Sequence, residues 1–326
     1  MLYLTAKQKI KMSRFIIGLI SLTIVFYSCS PVSDLSATGK WKRKKIDEIV
    51  IPKTAEEKFI SENILFEGCG QWQHGKRFIY DGETPNILLK PVDLNEVIPD
   101  STFHHKIFTF HSFAEYTTFG GEKKVALIFE CEGKKYQFNT DKVFDQISDT
   151  SYRPMIPNLI SLDEIDKFSE LLVGKQLYIR TPQWYNLSGE RIDGKKLVPI
   201  TVKEISVGNT TLPVKLTFTD SEGKEAMVLL SLKTRSETGE NRIFDRMFSF
   251  ENPRLRYPTI SDDIWDRITK GTLVKGMTKE ECRLSIGMPE EVKQIPTYSG
   301  LREQWMYELN EYLYFEDGLL IDFRIL

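Results

Sequence analysis

Four cysteines and four histidines in 326 residues are too few for a disulfide-built scaffold or a metal-rich protein. The apolar run at residues 15–27 is 13 residues long, short of the roughly 20 that a helix needs to cross a hydrocarbon core of about 30 Å. Charge of one sign is also missing. With 44 Lys+Arg against 46 Asp+Glu, the chain has no excess of the basic residues with which a dedicated nucleic-acid binder releases counterions. It contains no Gly-x-x-x-x-Gly-Lys-Ser/Thr, His-Glu-x-x-His or Gly-x-Ser-x-Gly segment, and Gly68-Cys69-Gly70-Gln71-Trp72-Gln73 lacks the third glycine of a dinucleotide fingerprint. No cofactor, metal or nucleic acid is expected. What is present is ordinary globular composition, 41% hydrophobic and 28% charged, in a length suited to two or three domains of about 100–150 residues.

The first residues have the order of a secretory signal: basic Lys7, Lys9, Lys11 and Arg14, then the apolar run, then Ser28-Cys29-Ser30. A cysteine at that place resembles the lipobox of bacterial lipoproteins, in which it becomes the lipidated first residue. Ser28 fits the pattern, whereas Phe26 and Tyr27 depart from its usual Leu and small residue. The resemblance implies removal of residues 1–28, a lipid on Cys29 and an exported protein anchored in the cell envelope, outer membrane included. A conventionally cleaved secreted protein and an uncleaved anchor are the alternatives, and Met12 is an alternative start. Cleavage removes four basic residues and no acids, leaving 40 against 46, a formal charge of -6. Residues 29–50 read as a tether. Within it Lys40, Lys42, Arg43, Lys44 and Lys45 surround Trp41, either against anionic headgroups, at about 1 kcal/mol per charge, or simply solvated.

Helix-start signals recur. Thr54-Ala55-Glu56-Glu57 and Ser161-Leu162-Asp163-Glu164 each have the form in which a hydroxyl caps one backbone N–H and the glutamate reaches back to another. A Gly-Lys pair and an apolar strand follow each, at Gly75-Lys76 and Gly174-Lys175, and further on come hairpins around Glu132-Gly133-Lys134 and Glu222-Gly223-Lys224. The helix starts lie 107 residues apart, the Gly-Lys pairs 99 and the hairpin valines Val125 and Val214 89. We read an α+β chain with two β-rich, barrel-like modules, residues 51–150 and 155–250, each preceded by a helix, with convergence on common hairpin chemistry as the alternative to duplication. Residues 152–157, with two prolines, read as a linker, and residues 252–258 as a second boundary.

From Ser261 the pattern changes. Ser261 caps one short helix, Thr278 and Glu281 form a capping box for a second, and Gly287 and Pro289 stop it. Three strands are expected after residue 302, with Asp317-Gly318 at a hairpin. Gly276-Met277-Thr278, Gly287-Met288-Pro289, Trp305-Met306-Tyr307 and Phe315-Glu316-Asp317-Gly318, in that order, resemble the SmpA/OmlA family, the BamE-like small lipoproteins of outer-membrane assembly. The resemblance covers residues 259–326 and implies two helices on a three-stranded sheet in a non-catalytic binding or scaffold module. Cys282 stands where that family more often has an aliphatic residue.

Two constellations remain to be weighed. Trp72, Trp184 and Tyr185 follow turn-like text and are candidate exposed platforms for sugar rings or peptides, against burial in a core. Cys69, His74, His104, His105 and His111 would supply a Cys–His pair or a zinc site if their loops converged. Adjacent His104 and His105 would point to opposite faces of a strand, while His105 and His111 would share one. Cys69 and Cys131 are candidates for a disulfide, and Cys282 for the core. The expected function is a non-catalytic envelope lipoprotein acting as a protein-binding or scaffold component, with outer-membrane assembly or maintenance as its setting. A surface glycan-binding lipoprotein and a hydrolase using Cys69 are the alternatives.

Overall fold

The chain is α+β, with three antiparallel sheets and six helices among the residues described by the computed structural model, namely 53–83, 87–93, 103–148, 151–233, 242–297 and 300–325. Cys29 and the tether lie outside the described residues. None of the described helices is long and apolar enough to cross a membrane.

Helix α1 (Ala55–Asn63) starts at the expected capping box, in which the Glu57 N–H donates to Thr54 Oγ1 and the Thr54 N–H to Glu57 Oε2. The first sheet is built from β1 (Arg77–Tyr80), β2 (Leu89–Pro91), β3 (Ile107–Thr117), β4 (Lys123–Cys131), β5 (Lys134–Asn139) and, after the short helix α2 (Phe144–Ser148), β6 (Leu159–Ser161). Helix α3 (Leu162–Leu172) leads to the second, built from β7 (Gln176–Ile179), β8 (Gln183–Tyr185), β9 (Arg191–Asp193), β10 (Val198–Val207), β11 (Val214–Asp220), β12 (Glu225–Leu230) and, after α4 (Phe244–Met247), β13 (Phe248–Ser249).

The two sheets share one wiring. The first runs β6-β1-β3-β4-β5-β2 and the second β13-β7-β10-β11-β12-β8-β9. Both Gly-Lys strands take the same place in that order. The Gly75 N–H donates to the Phe110 carbonyl and the Gly174 N–H to the Val202 carbonyl. Each long strand then breaks register one residue later, between Phe110 and Ser112 in β3 and between Val202 and Glu204 in β10. A bulge at matching positions bends both strands alike. The hairpin tips differ: Glu132 and Gly133 both take positive φ, whereas in the second tip only Gly223 does.

Burial departs from sequence order. The first core is aromatic, with Phe78, Tyr80, Phe103, Phe108, Phe110, Phe129 and Tyr136 packed ring to ring. Helix α1 does not join it. Its Ile60 and Ile64 enter the second core beside Phe244 and Phe248, the Phe59 ring lies 5.1 Å from Phe250, and Glu56 Oε1 accepts the Phe250 N–H at 3.0 Å. The second core also takes the stripe Ile165, Phe168 and Leu172 of α3. Residues 152–157 are packed as well: the Tyr152 carbonyl accepts the Cys69 N–H at 2.8 Å, and Ile156 is buried.

The third sheet follows α5 (Asp262–Thr269) and α6 (Lys279–Ile286) and has four strands, β14 (Glu291–Thr297), β15 (Gly300–Tyr307), β16 (Glu311–Glu316) and β17 (Leu319–Arg324), in that order. The sequence reading expects three. Strand β14 escapes it because Pro296 and interleaved charges suppress the strand pattern, and an edge strand tolerates both. Met277, Cys282, Trp305, Leu313, Phe315 and Leu320 make the core under this sheet.

Candidate functional site

Trp184 is a core residue, 1% exposed. Its indole N–H donates to the Thr181 carbonyl at 2.9 Å, its ring meets Phe218 edge-on at 5.0 Å, and Gly194 lies so close that a Cβ there would fall 2.0 Å from the indole. The platform reading therefore loses its main residue, which packs in the second core against Phe218 with a glycine ten positions downstream close by. Tyr185 is half-buried with Arg242 5.2 Å from its ring centre. Trp72 is half-buried against Phe78, with ring centres 5.0 Å apart.

Cys69 is enclosed by Val125 and Ile147, and burial pushes its thiol up to about 11, which is the reverse of what a nucleophile needs. Cys131 packs in the first aromatic core, where burial raises it likewise to about 11. Both are free thiols. The histidines gather differently from the expectation. His104 and His105 sit in a turn, not a strand, with His105 at φ 60 and their rings stacked 3.7 Å apart. His74 meets His111 at 5.2 Å, and His111 Nδ1 is 3.0 Å from Ser112 Oγ. Among the described residues no three His, Cys, Asp or Glu side chains are grouped closely enough to hold a metal ion.

Most motif residues of the C-terminal module have structural work, while Met288 is 73% exposed. Gly276, at φ 94, donates its N–H to the Leu320 carbonyl, and Leu320 donates back to the Met277 carbonyl. Thr278 and Glu281 complete a reciprocal capping box on α6, and Gly287 closes the helix at φ 95, next to Met288-Pro289. The Trp305 indole N–H donates to Glu303 Oε2 at 3.1 Å, its ring lies tilted against Phe315 with centres 4.5 Å apart, and Arg283 lies 4.8 Å over it. The Lys279 ammonium, 2.6 Å from Glu303, holds that carboxylate below its ordinary pKa. The Tyr307 hydroxyl donates to the Gly287 carbonyl at 3.1 Å, and burial pushes the phenol well up. Asp317 and Gly318 make the hairpin with φ 49 and 88.

The feature that sequence reading missed is a cleft of about 170 Å³ between the first and second sheets. Phe66, Trp72, Phe78, Ile156, Ile165 and Leu232 supply apolar wall, while Glu67, Lys76, Arg153, Glu164 and Lys233 supply charge. Lys76, with a side chain only 9% exposed, pairs with Glu67 at 3.3 Å. Arg153 lies 5.5 Å over the Phe66 ring. Ser161 and Glu164 line the same cleft, and here the second expected capping box fails to form. Ser161 makes no side-chain cap on α3, and its buried Oγ has no hydrogen-bond partner. Burial raises the Glu164 carboxyl above its ordinary value, and Lys76, Lys233 and Arg153 oppose that rise. The cleft charges come from three stretches of chain far apart in sequence, residues 66–78, 153–165 and 231–233, so no local spacing announces them. The failed capping box is the one local signal, because residues that break a local rule often mark a site.

No protein-family profile, curated protein or solved structure matches the chain.

Proposed function

We propose that the protein is a non-catalytic cell-envelope lipoprotein, held at a membrane face by a lipid on Cys29, that presents its C-terminal module to an extended segment of an envelope protein. In this reading the wiring shared by the first two sheets makes residues 51–150 and 155–250 two related barrel-like modules, and residues 259–326 a BamE-like (SmpA/OmlA) module. The observation that carries the binding assignment is the open edge of the third sheet. Strand β17 is covered at its start by the bridge between Thr278 and Leu319, whereas among the described residues β14 pairs with β15 alone. Residues 291–296 are all exposed. Register places Ile295, Arg302, Met306, Tyr312 and Tyr314 on the sheet face opposite buried Trp305, Leu313 and Phe315. Ile295 is 50% exposed and Tyr314 38%. An open edge on the same sheet as the exposed Tyr314 suits strand addition, in which main-chain hydrogen bonds supply affinity and neighbouring side chains select the partner. Tethering raises the effective concentration of such weak contacts. The glycan and hydrolase alternatives gain no comparable support, since Trp184 and Cys69 are both enclosed.

The test is fractionation with fatty-acid labelling of the wild-type and Cys29→Ala proteins. Lipidation predicts a labelled, membrane-bound wild type and an unlabelled variant that leaves the membrane. Both versions remaining membrane-bound and unlabelled would refute it.

A further inference from the structure

We propose that the partner at the open edge of the third sheet is a second copy of this chain, with β14 pairing antiparallel to β14 across a two-fold axis at Val292. This partner belongs to the edge described above, so the assignment rests on that edge receiving a strand.

Pro296 sets the main-chain polarity of the edge. It pairs in register with Leu301 but has no N–H to give β15, so its backbone occupies a position that turns outward. Hydrogen-bonding direction alternates along a strand, and the register of β14 on β15 runs without a shift from Glu291 to Thr297. Val292 and Gln294 therefore offer N–H and C=O groups to the open edge. An axis at Val292 sets that residue opposite itself, where the two copies exchange both main-chain bonds.

The same axis matches the charges. It sets Glu291 opposite Lys293 of the second copy, and Lys293 opposite Glu291 of the second copy. Both side chains are available, 56% and 53% exposed. Opposite charges directly across an antiparallel pair stabilise it, whereas like charges oppose it. An axis at Lys293 would set lysine against lysine, and one at Gln294 would set Lys293 against Ile295. Apolar exposure has the same centre. Val292 is 45% exposed, Met288 is 73% exposed and Pro296 is exposed. Met288 lies four residues before Val292 and Pro296 four after, so the axis opposes the two. Lysine and proline ordinarily protect an edge from strand addition. Here the lysine meets a carboxylate, and Pro296 falls beyond the first residue of the facing strand, Glu291, where no donor is required. The edge is thus complementary to itself, as a closed two-fold dimer demands.

The experiment is disulfide trapping of the full chain in cells, with Val292→Cys and Gln294→Cys made separately, oxidised with diamide and resolved without reductant. Cys69, Cys131 and Cys282 are buried, and the unsubstituted chain gives the background. Opposed residues of a hydrogen-bonded pair stand about 5.5 Å apart at Cα, within reach of a disulfide. Gln294 is offset from its mate by four residues, about 13 Å at 3.3 Å per residue. Val292→Cys should therefore give a covalent self-dimer at least about tenfold above Gln294→Cys and the unsubstituted chain. Adding Lys293→Glu sets carboxylate against carboxylate and should reduce that dimer about fivefold, and adding Glu291→Lys as well should restore it. Restoration separates lost pairing from lost folding. An equal or stronger dimer from Gln294→Cys would overturn the proposal by moving the axis away from the matched charges. A dimer unchanged by Lys293→Glu, or not restored by the double exchange, would overturn it by removing those charges from the contact. No dimer from Val292→Cys would remove self-pairing altogether. In that case, an adduct between a photoreactive residue at position 295 and a different envelope protein would keep the edge reading with another occupant, and no adduct would end both.

Discussion

Lys196 fastens the C-terminal module to the second sheet, and its buried ammonium should make that junction gain stability as pH rises. Its backbone N–H donates to the Thr269 carbonyl at 2.8 Å, and its Nζ donates to the carbonyl of Ser285 in the last turn of α6. Burial pushes its pKa from 10.5 down to about 8. A lysine depressed in the folded state binds its proton better when unfolded, so it lowers stability at neutral pH. That penalty fades as pH rises from the folded value of about 8 towards the unfolded value of 10.5. A shift of this size corresponds to about 3 kcal/mol at 1.36 kcal/mol per unit. The negative end of α6 favours the cation by up to about 2 kcal/mol, so the net effect is about 1–3 kcal/mol. Lys196→Met keeps the apolar stem and removes the titration. Urea denaturation of both proteins from pH 7 to pH 10.5 isolates the lysine, because every other titrating group is common to both. The wild type should gain about 1–3 kcal/mol on the variant across that window. A difference constant to within about 0.5 kcal/mol, the scatter usual for independent sites, would refute the reasoning.

Further outcomes follow from the same contacts. Thr278→Ala removes a formed cap and should cost about 1 kcal/mol in urea denaturation, whereas Ser161→Ala removes a hydroxyl with no partner and should cost less than about 0.5 kcal/mol. Gly194→Ala places a methyl 2.0 Å from the Trp184 indole and should destabilise by about 1–3 kcal/mol, with a red shift in tryptophan emission as the ring is displaced. Burial holds the Cys69, Cys131 and Cys282 thiols at about 11, 11 and 12. In the folded Cys29→Ala protein at pH 8 these three should therefore resist a thiol reagent and react together once urea unfolds the chain.

Local chemistry was legible in the sequence wherever one element decides it. The capping boxes at Thr54 and Thr278 form as read, and Asp317-Gly318 turns a hairpin because both residues take positive φ. The repeated order of helix, Gly-Lys strand and hairpin was visible too, and the matching bulges in β3 and β10 extend it. Contacts between distant segments were not legible. Trp184 sits in turn-like text beside Pro182 and Asn186, and the approach of Phe218 and Gly194, both distant from that text, helps to enclose it. Helix α1 has an apolar stripe that fits either core, and its choice rests on Phe244 and Phe250, nearly two hundred residues away. Ser161 and Glu164 satisfy every local condition for a capping box, yet the neighbouring sheet turns both into the cleft.

The binding assignment is tested most directly by crosslinking inside cells. A photoreactive amino acid is placed at Ile295 on the open edge or, as control, at Phe119, which is fully exposed in the connection between β3 and β4. A discrete adduct with one envelope protein, formed from Ile295 and absent from Phe119, is the expected result. No adduct from Ile295, or the same set of adducts from both positions, would contradict the claim that the third sheet receives a partner.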